Sequence, residues 1–493
     1  MIRLCTGRLL FWICLGVGTI ALAGCFSMRE SDGGGQTTFA SPRRINISDI
    51  AVPDGYRIER VVGGLTFPTG VAFDHTGRPY VIEAGYSYGE VWTVPRLLRV
   101  ERNGLLTAIA TGGNNGPWTG VAFHAGNFYV AEGGAREGGR LLLVRPDGTT
   151  SVLLDNLPSV GDHHTDGPVI GPDGWLYFGQ GTATNSAVVG EDSVAFGWLK
   201  RHPDFHDIPC RDVRLAGENF TSGNPLASTP SDRVTTGAFS AFGTPTVKGQ
   251  TVHGQVPCNG AIMRVRLDGG KPELVAWGFR NPFGLAFSAS GRLYVTDNSY
   301  DDRGSRPVFG TGDLLWEVQP GTWYGWPDFH GTALLDKGNR YVPPGKPRPT
   351  LLLADHPNTP PKPVAIFDVH SSSNGFDFST RPEFGYVGDA FVAQFGDMAP
   401  GVGKVLSPVG FKVVRVSLQS GIVEDFAVNK GKTNGPASWL QTGGLERPVA
   451  ARFDPSGTAL YVVDFGVMTV AEKPMPQKET GVLWRITRET GSP

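Results

Sequence analysis

One pattern recurs six times along the chain: a small or apolar triplet, a glycine-containing turn, then an aromatic strand. It reads VAFDHTGRPYVIEA from Val71, VAFHAGNFYVAEG from Val121, VIGPDGWLYFGQG from Val169 and LAFSASGRLYVTDN from Leu285. A stretched copy, FDFSTRPEFGYVGDAFVAQFG, starts at Phe376, and ARFDPSGTALYVVDFG starts at Ala451. Each copy is a β-hairpin signature, with turn chemistry such as Pro172-Asp173-Gly174 or Pro455-Ser456-Gly457 between apolar runs. The first gaps between copies, 50 and 47 residues, match one four-stranded blade each; the later gaps need loop insertions. Six copies predict an all-β chain, a six-bladed β-propeller over residues 46–490, with a polar funnel where the inner-strand loops converge.

Composition agrees. The 69 glycines and 38 prolines make up 107 of 493 residues, against an ordinary share of about 12%, which disfavours bundles and coiled coils. With 44 Lys plus Arg against 46 Asp plus Glu, the formal charge is −2, so no basic field calls for nucleic acid. The largest insertion, about 186–262, is rich in Gly, Ser, Thr and Pro and reads as a long loop rather than a second domain.

The first 24 residues read as an export signal: Arg3 and Arg8, then the apolar run Leu9 to Leu22, too short to span a bilayer. The signal ends in Leu22-Ala23-Gly24-Cys25, which resembles the lipobox of bacterial lipoproteins, with Cys25 as the lipidated residue; an ordinary signal cut is the alternative. Residues 25–45 are then expected to be a lipidated N-terminus and flexible tether, placing the protein in the cell envelope, on the periplasmic side of a membrane or at the cell surface, held by lipid alone. Cys210 and Cys258 remain in the mature chain. In an oxidising compartment they read as one disulfide, with two buried thiols as the alternative.

Three clusters could carry chemistry. Asp162-His163-His164-Thr165-Asp166 precedes the third repeat, so it would line the funnel. A histidine beside a carboxylate can be held in one tautomer to remove a hydroxyl proton, or the pair can be structural. Arg280-Asn281 precedes the fourth repeat; its donor fork suits a carboxylate or quinone oxygen, or an ion pair between blades. After that repeat, Asp297 to Asp302 and Asp313 gather hard oxygens that suit Ca²⁺, or form solvated turns.

The six repeats together with DHHTDGPVIGPDGWLYFGQG, GFRNPFGLAF and Tyr324-Gly325-Trp326-Pro327 resemble the soluble glucose dehydrogenase and sorbosone dehydrogenase family, over most of Gly63 to Ile486. The resemblance implies a six-bladed propeller that binds pyrroloquinoline quinone (PQQ) with Ca²⁺ and oxidises an aldose at C1, or an aldehyde. It implies His163 as general base, Asp162 as its orienting partner, and Arg280 and Asn281 against the quinone oxygens. It also points to Asn115 as an amide contact to the cofactor, to Asp313 near the substrate and Ca²⁺, and to carbonyls between Pro307 and Gly312, among them Pro307 and Val308, as metal ligands. Two positions depart from the pattern. Gln394 stands where the family carries a cofactor-binding lysine, and Arg447 stands alone where it carries two arginines, leaving Arg303, Arg306 or Lys404 to compensate. Without a Cys-x-x-Cys-His motif, electrons would pass to a separate acceptor, a cytochrome or a quinone. Two other readings remain at this stage: a cofactor-free propeller that binds glycans or proteins, and a Ca²⁺-dependent lactonase.

Overall fold

The computed structural model describes residues 33–35, 37–85, 93–134, 136–194, 197–229, 231–470 and 474–489. The expected signal and Cys25 lie outside the described residues. Six antiparallel sheets surround one axis, five of four strands and one, the fifth blade, extended to five by Ile50–Ala51, and every repeat supplies the innermost hairpin of a sheet. The inner strands are Pro68–Phe73, Trp118–His124, Thr165–Ile170, Pro282–Phe287, Ser373–Phe378 and Pro448–Phe453. Helix is confined, among the described residues, to two four-residue α-helical turns and two 3₁₀ turns of three and four residues.

Alternation explains how the blades stack. Successive side chains of a strand point to opposite faces, and here both faces are covered by a neighbouring blade. In the first blade Val81 and Leu98 pack toward the last blade, whereas Tyr80, Ile82 and Leu97 pack toward the second. The interblade layers leave the inner strands little room: a Cβ on Gly120 would lie 1.6 Å from the Gly167 carbonyl of the next blade.

The ring closes through the N-terminal part of the chain. Strand Tyr56–Leu65 pairs with Gly481–Arg488 as the outermost strand of the last blade, so that sheet is built from both ends of the propeller. Further upstream, Arg43 reaches the buried Asp464 at 2.6 Å, and the same carboxylate accepts from Trp484 Nε1 at 3.2 Å and Arg447 N at 2.9 Å.

Two expectations need correction. The segment read as a flexible tether is packed at Gly33–Gly35: the Gly35 carbonyl accepts from Val470 N at 2.5 Å, and a Cβ on Gly34 would meet Phe411 and Pro436 at 2.6 Å. Three consecutive residues without Cβ let the backbone enter a crevice closed to other side chains. The propeller's own contacts likewise begin upstream of residue 46, at Arg43. The insertion between Gln180 and Ala261 remains part of the third blade and folds against it, with a short hairpin, a second two-stranded pair that encloses it in sequence, and a disulfide joining Cys210 to Cys258.

The Arg43–Asp464 pair is buried, with side chains 3% and 0% exposed. Replacing Asp464 by Ala should strand the guanidinium and cost about 3–5 kcal/mol. The exposed pair Arg214–Asp355, truncated in the same way, should cost less than about 1 kcal/mol. Chemical denaturation of the two variants checks the difference.

Candidate active site

The loops before the inner strands of the third, fourth and fifth blades meet over the axis and line a cavity of about 370 Å³. That volume suits a small organic ligand. Asp162, His163, Arg280, Asn281 and Asp313 all line it. His163 also lines a smaller axial chamber below, and so stands where the two spaces meet.

Hairpin register sets the histidine. The Gly181 N–H donates to the His164 carbonyl at 2.9 Å, which puts Thr182 beside His163. His163 Nδ1 contacts the Thr182 carbonyl at 2.9 Å and its hydroxyl at 3.0 Å. A carbonyl can only accept, so Nδ1 carries the proton and Nε2 keeps the lone pair. Burial, then the charges of Arg280 and Arg303, hold the ring's pKa well below its ordinary value. The ring is therefore a neutral base at pH 7. His164 behind it is also neutral, lowered to about 4 by burial.

This geometry corrects the role expected of Asp162. Consecutive side chains diverge, and the Asp162 carboxylate turns to Arg303 at 2.6 Å. Thr182 orients the histidine instead. No signal within the motif marks Thr182; only the register of the hairpin that follows could have found it.

Arg303 is the centre of a charge network. It pairs with Asp162, with Asp192 at 2.9 Å and with Asp301 at 3.0 Å. Arg280 joins the same network through Asp301 at 2.8 Å and donates to Asn185 Oδ1 at 3.0 Å and the Asn298 carbonyl at 3.2 Å. Burial works against the Asp301 charge, yet the two guanidiniums outweigh it and hold its carboxyl below the ordinary range. Asp192 is pushed up, chiefly by burial. Sequence reasoning missed Asp192 and Asn185, which enter from the insertion after the third repeat, and His370, three residues before the fifth inner strand.

Other expected residues lie elsewhere. Asn115 is buried within the second blade, where its amide donates to Glu132 at 3.1 Å and to the Gly138 carbonyl at 2.9 Å while its oxygen accepts from Glu137 N at 2.8 Å. Its hydrogen bonds fix its own loop, and it does not line the cavity. Gln394 donates to Ser373 Oγ at 3.1 Å behind the cavity wall. Arg447 also sits behind the wall, donating through Nη1 to the carbonyls of 395–397, with Nη2 lacking an acceptor among the described residues. Pro307 and Val308 do not line the cavity. Asp313 does, but its carboxylate is already taken by Ser299 N at 2.9 Å, Ser373 N at 2.7 Å and Ser371 Oγ at 3.1 Å. Of the compensating cations, Arg306 is committed to Asp328 at 3.1 Å and to backbone carbonyls. Among the described residues, no cluster of three or more His, Cys, Asp or Glu side chains is placed to hold a metal.

No protein-family model and no curated protein sequence matches the chain. Solved structures do. The holo PQQ domain of pyranose dehydrogenase from Coprinopsis cinerea is 15% identical, with 91% of this chain and 98% of that one covered at a TM-score of 0.52. The calcium structure of a carbohydrate-active enzyme of family AA12 from Trichoderma reesei is 17% identical, covering 90% and 98%, also at 0.52. The apo soluble aldose sugar dehydrogenase from Escherichia coli is 14% identical, covering 88% and 99% at 0.51. What they share with this chain is the fold. The expected six-bladed propeller is thus met by sugar dehydrogenase structures over nearly their whole length.

Because Arg303 is one of the charges that depress His163, Arg303→Met should raise the histidine's titration midpoint toward 6.5. Burial, the larger cause, should still keep it below that value. NMR titration of the ring in the two proteins measures the shift.

Proposed function

We propose that the protein is a PQQ-dependent oxidoreductase that oxidises an aldose at C1, or an aldehyde, and passes the electrons to a separate acceptor. The observation that carries this reading is the neutral, tautomer-fixed His163 on the same cavity wall as Arg280 and Asn281. The likeness in fold to sugar dehydrogenases supports it.

The residues fit the quinone end of such a cofactor. Arg280 brings positive charge to the cavity, and Asn281 Oδ1 is buried without a donor while its amide nitrogen reaches Asn298 at 3.0 Å. For the carboxylates, the guanidiniums that line the cavity are Arg280 and Arg303, each already paired with aspartates, and Arg447 lies behind the wall. The calcium set does not fit in the same way. Asp313 already accepts three hydrogen bonds from the protein, and of the expected carbonyl stretch Thr311 lines the cavity while Pro307 and Val308 do not, so no step here depends on a metal.

When bound, the quinone supplies a two-electron acceptor for the hydrogen on the sugar's C1. The protein supplies the base and the field. His163 Nε2 takes the proton of the C1 hydroxyl, while Nδ1–H stays on Thr182 and keeps the ring aimed. As the ring becomes cationic, the carboxylates of Asp162 and Asp301 offset the nearby guanidiniums. The cavity's carboxylates and amides offer the many acceptors that a polyhydroxylated substrate needs.

A second reading rests on the same network. Arg303 is surrounded by three carboxylates, which compete with any anionic cofactor for its charge. A propeller tuned this way would hold a neutral glycan and no quinone. As to place, the Leu22-Ala23-Gly24-Cys25 motif supports anchoring by a lipid on Cys25.

Protein reconstituted with PQQ and CaCl₂ should reduce an artificial dye with at least one of a panel of aldoses and aldehydes. His163→Ala should lower kcat by about 10²- to 10⁴-fold. The wild-type rate should stay flat through neutral pH and fall only below pH 6.5, as the depressed histidine gains its proton. Glycan binding unaffected by His163→Ala, with no turnover on any donor, would favour the second reading.

A further inference from the structure

The six inner strands turn their second residues toward the propeller axis: Thr69, Thr119, Asp166, Phe283, Asn374 and Val449. All six line the axial chamber of about 110 Å³ that shares His163 and Asn281 with the cavity above.

About half of the chamber's lining is apolar, and its polar groups include several oxygen acceptors. Thr69 and Thr119 spend their hydroxyl protons on carbonyls of the next blade, Trp118 at 2.6 Å and Thr165 at 2.7 Å, which leaves oxygen lone pairs. Asp166 Oδ2, Asn374 Oδ1 and Asn281 Oδ1 are buried with no donor among the described residues. Asp166 and Asn374 are only 2% and 5% exposed. Among the described residues, no lysine or arginine lines the chamber.

An ionised carboxylate buried among oxygen acceptors is costly unless a positive charge joins it. Oxygen-only donors select a hard cation, and one carboxylate neutralises one charge. We propose that the axial chamber binds an alkali-metal cation, Na⁺ or K⁺, on Asp166, with the Asn374 amide oxygen and water completing its shell. The site is separate from the quinone reading above and needs no cofactor or substrate. It places a fixed positive charge under His163, opposite the side from which a sugar would approach.

The test uses the mature protein without PQQ, exchanged into N-methylglucamine chloride. Replacing that salt by NaCl or KCl at constant ionic strength should raise the thermal midpoint by roughly 2 °C. The rise should vanish in Asp166→Asn. Crystals grown in RbCl should show an anomalous peak in the chamber within bonding distance of Asp166. An equal response in all three salts, a response to CaCl₂ alone, or an anomalous map empty at the chamber would overturn the proposal. Should Asp166→Asn fail to fold, Asn374→Ala and the wild-type rubidium map decide the question.

Discussion

Closure of the ring is the constraint on which everything else depends. Each blade buries its two faces only against neighbours, so an open array of six would leave two apolar faces in water. Pairing Tyr56–Leu65 with Gly481–Arg488 makes the last blade from distant parts of the chain, and the buried Arg43–Asp464 pair adds a charged lock. Only a closed ring brings the loops before the third, fourth and fifth inner strands to one point. His163, Arg280 and His370 are over a hundred residues apart between the first two and ninety between the last, yet they line one cavity.

Within that cavity the electrostatics are balanced internally. Two guanidiniums and the carboxylates of Asp162, Asp192 and Asp301 form one connected network, so the site neither repels a neutral sugar nor presents a bare positive field. The network also fixes the histidine's state. Burial and two nearby arginines keep it neutral, while Thr182 keeps it in the tautomer whose free nitrogen can act as a base. Catalytic groups are commonly tuned in this way, by placing desolvation and charge against one another.

Much of the fold was legible because it rests on local signals repeated six times. Turn residues and alternating apolar runs mark each inner hairpin, and the expected inner strands coincide with those observed. The stapled insertion was legible from two cysteines. What sequence could not supply was contact between loops of different blades. His163, Arg280 and Asn281 stood out because their motifs are dense in functional groups. Thr182 and Asp192 did not, since a lone threonine or aspartate in a polar loop carries no distinctive pattern. Asn115 shows the reverse error: it occupies a suggestive place in the sequence, but its amide is consumed by its own blade. The glycines at 33–35 read as linker because composition alone cannot tell a mobile glycine from one required by a tight crevice.

The central claim is that this cavity receives a quinone against Arg280. Calorimetric titration of PQQ into the metal-stripped mature protein, with and without added Ca²⁺, tests it without knowledge of the substrate. The account predicts one-to-one binding at micromolar Kd or tighter, about −8 kcal/mol, weakened at least tenfold by Arg280→Ala. Absence of binding to folded wild-type protein, with or without Ca²⁺, would contradict it.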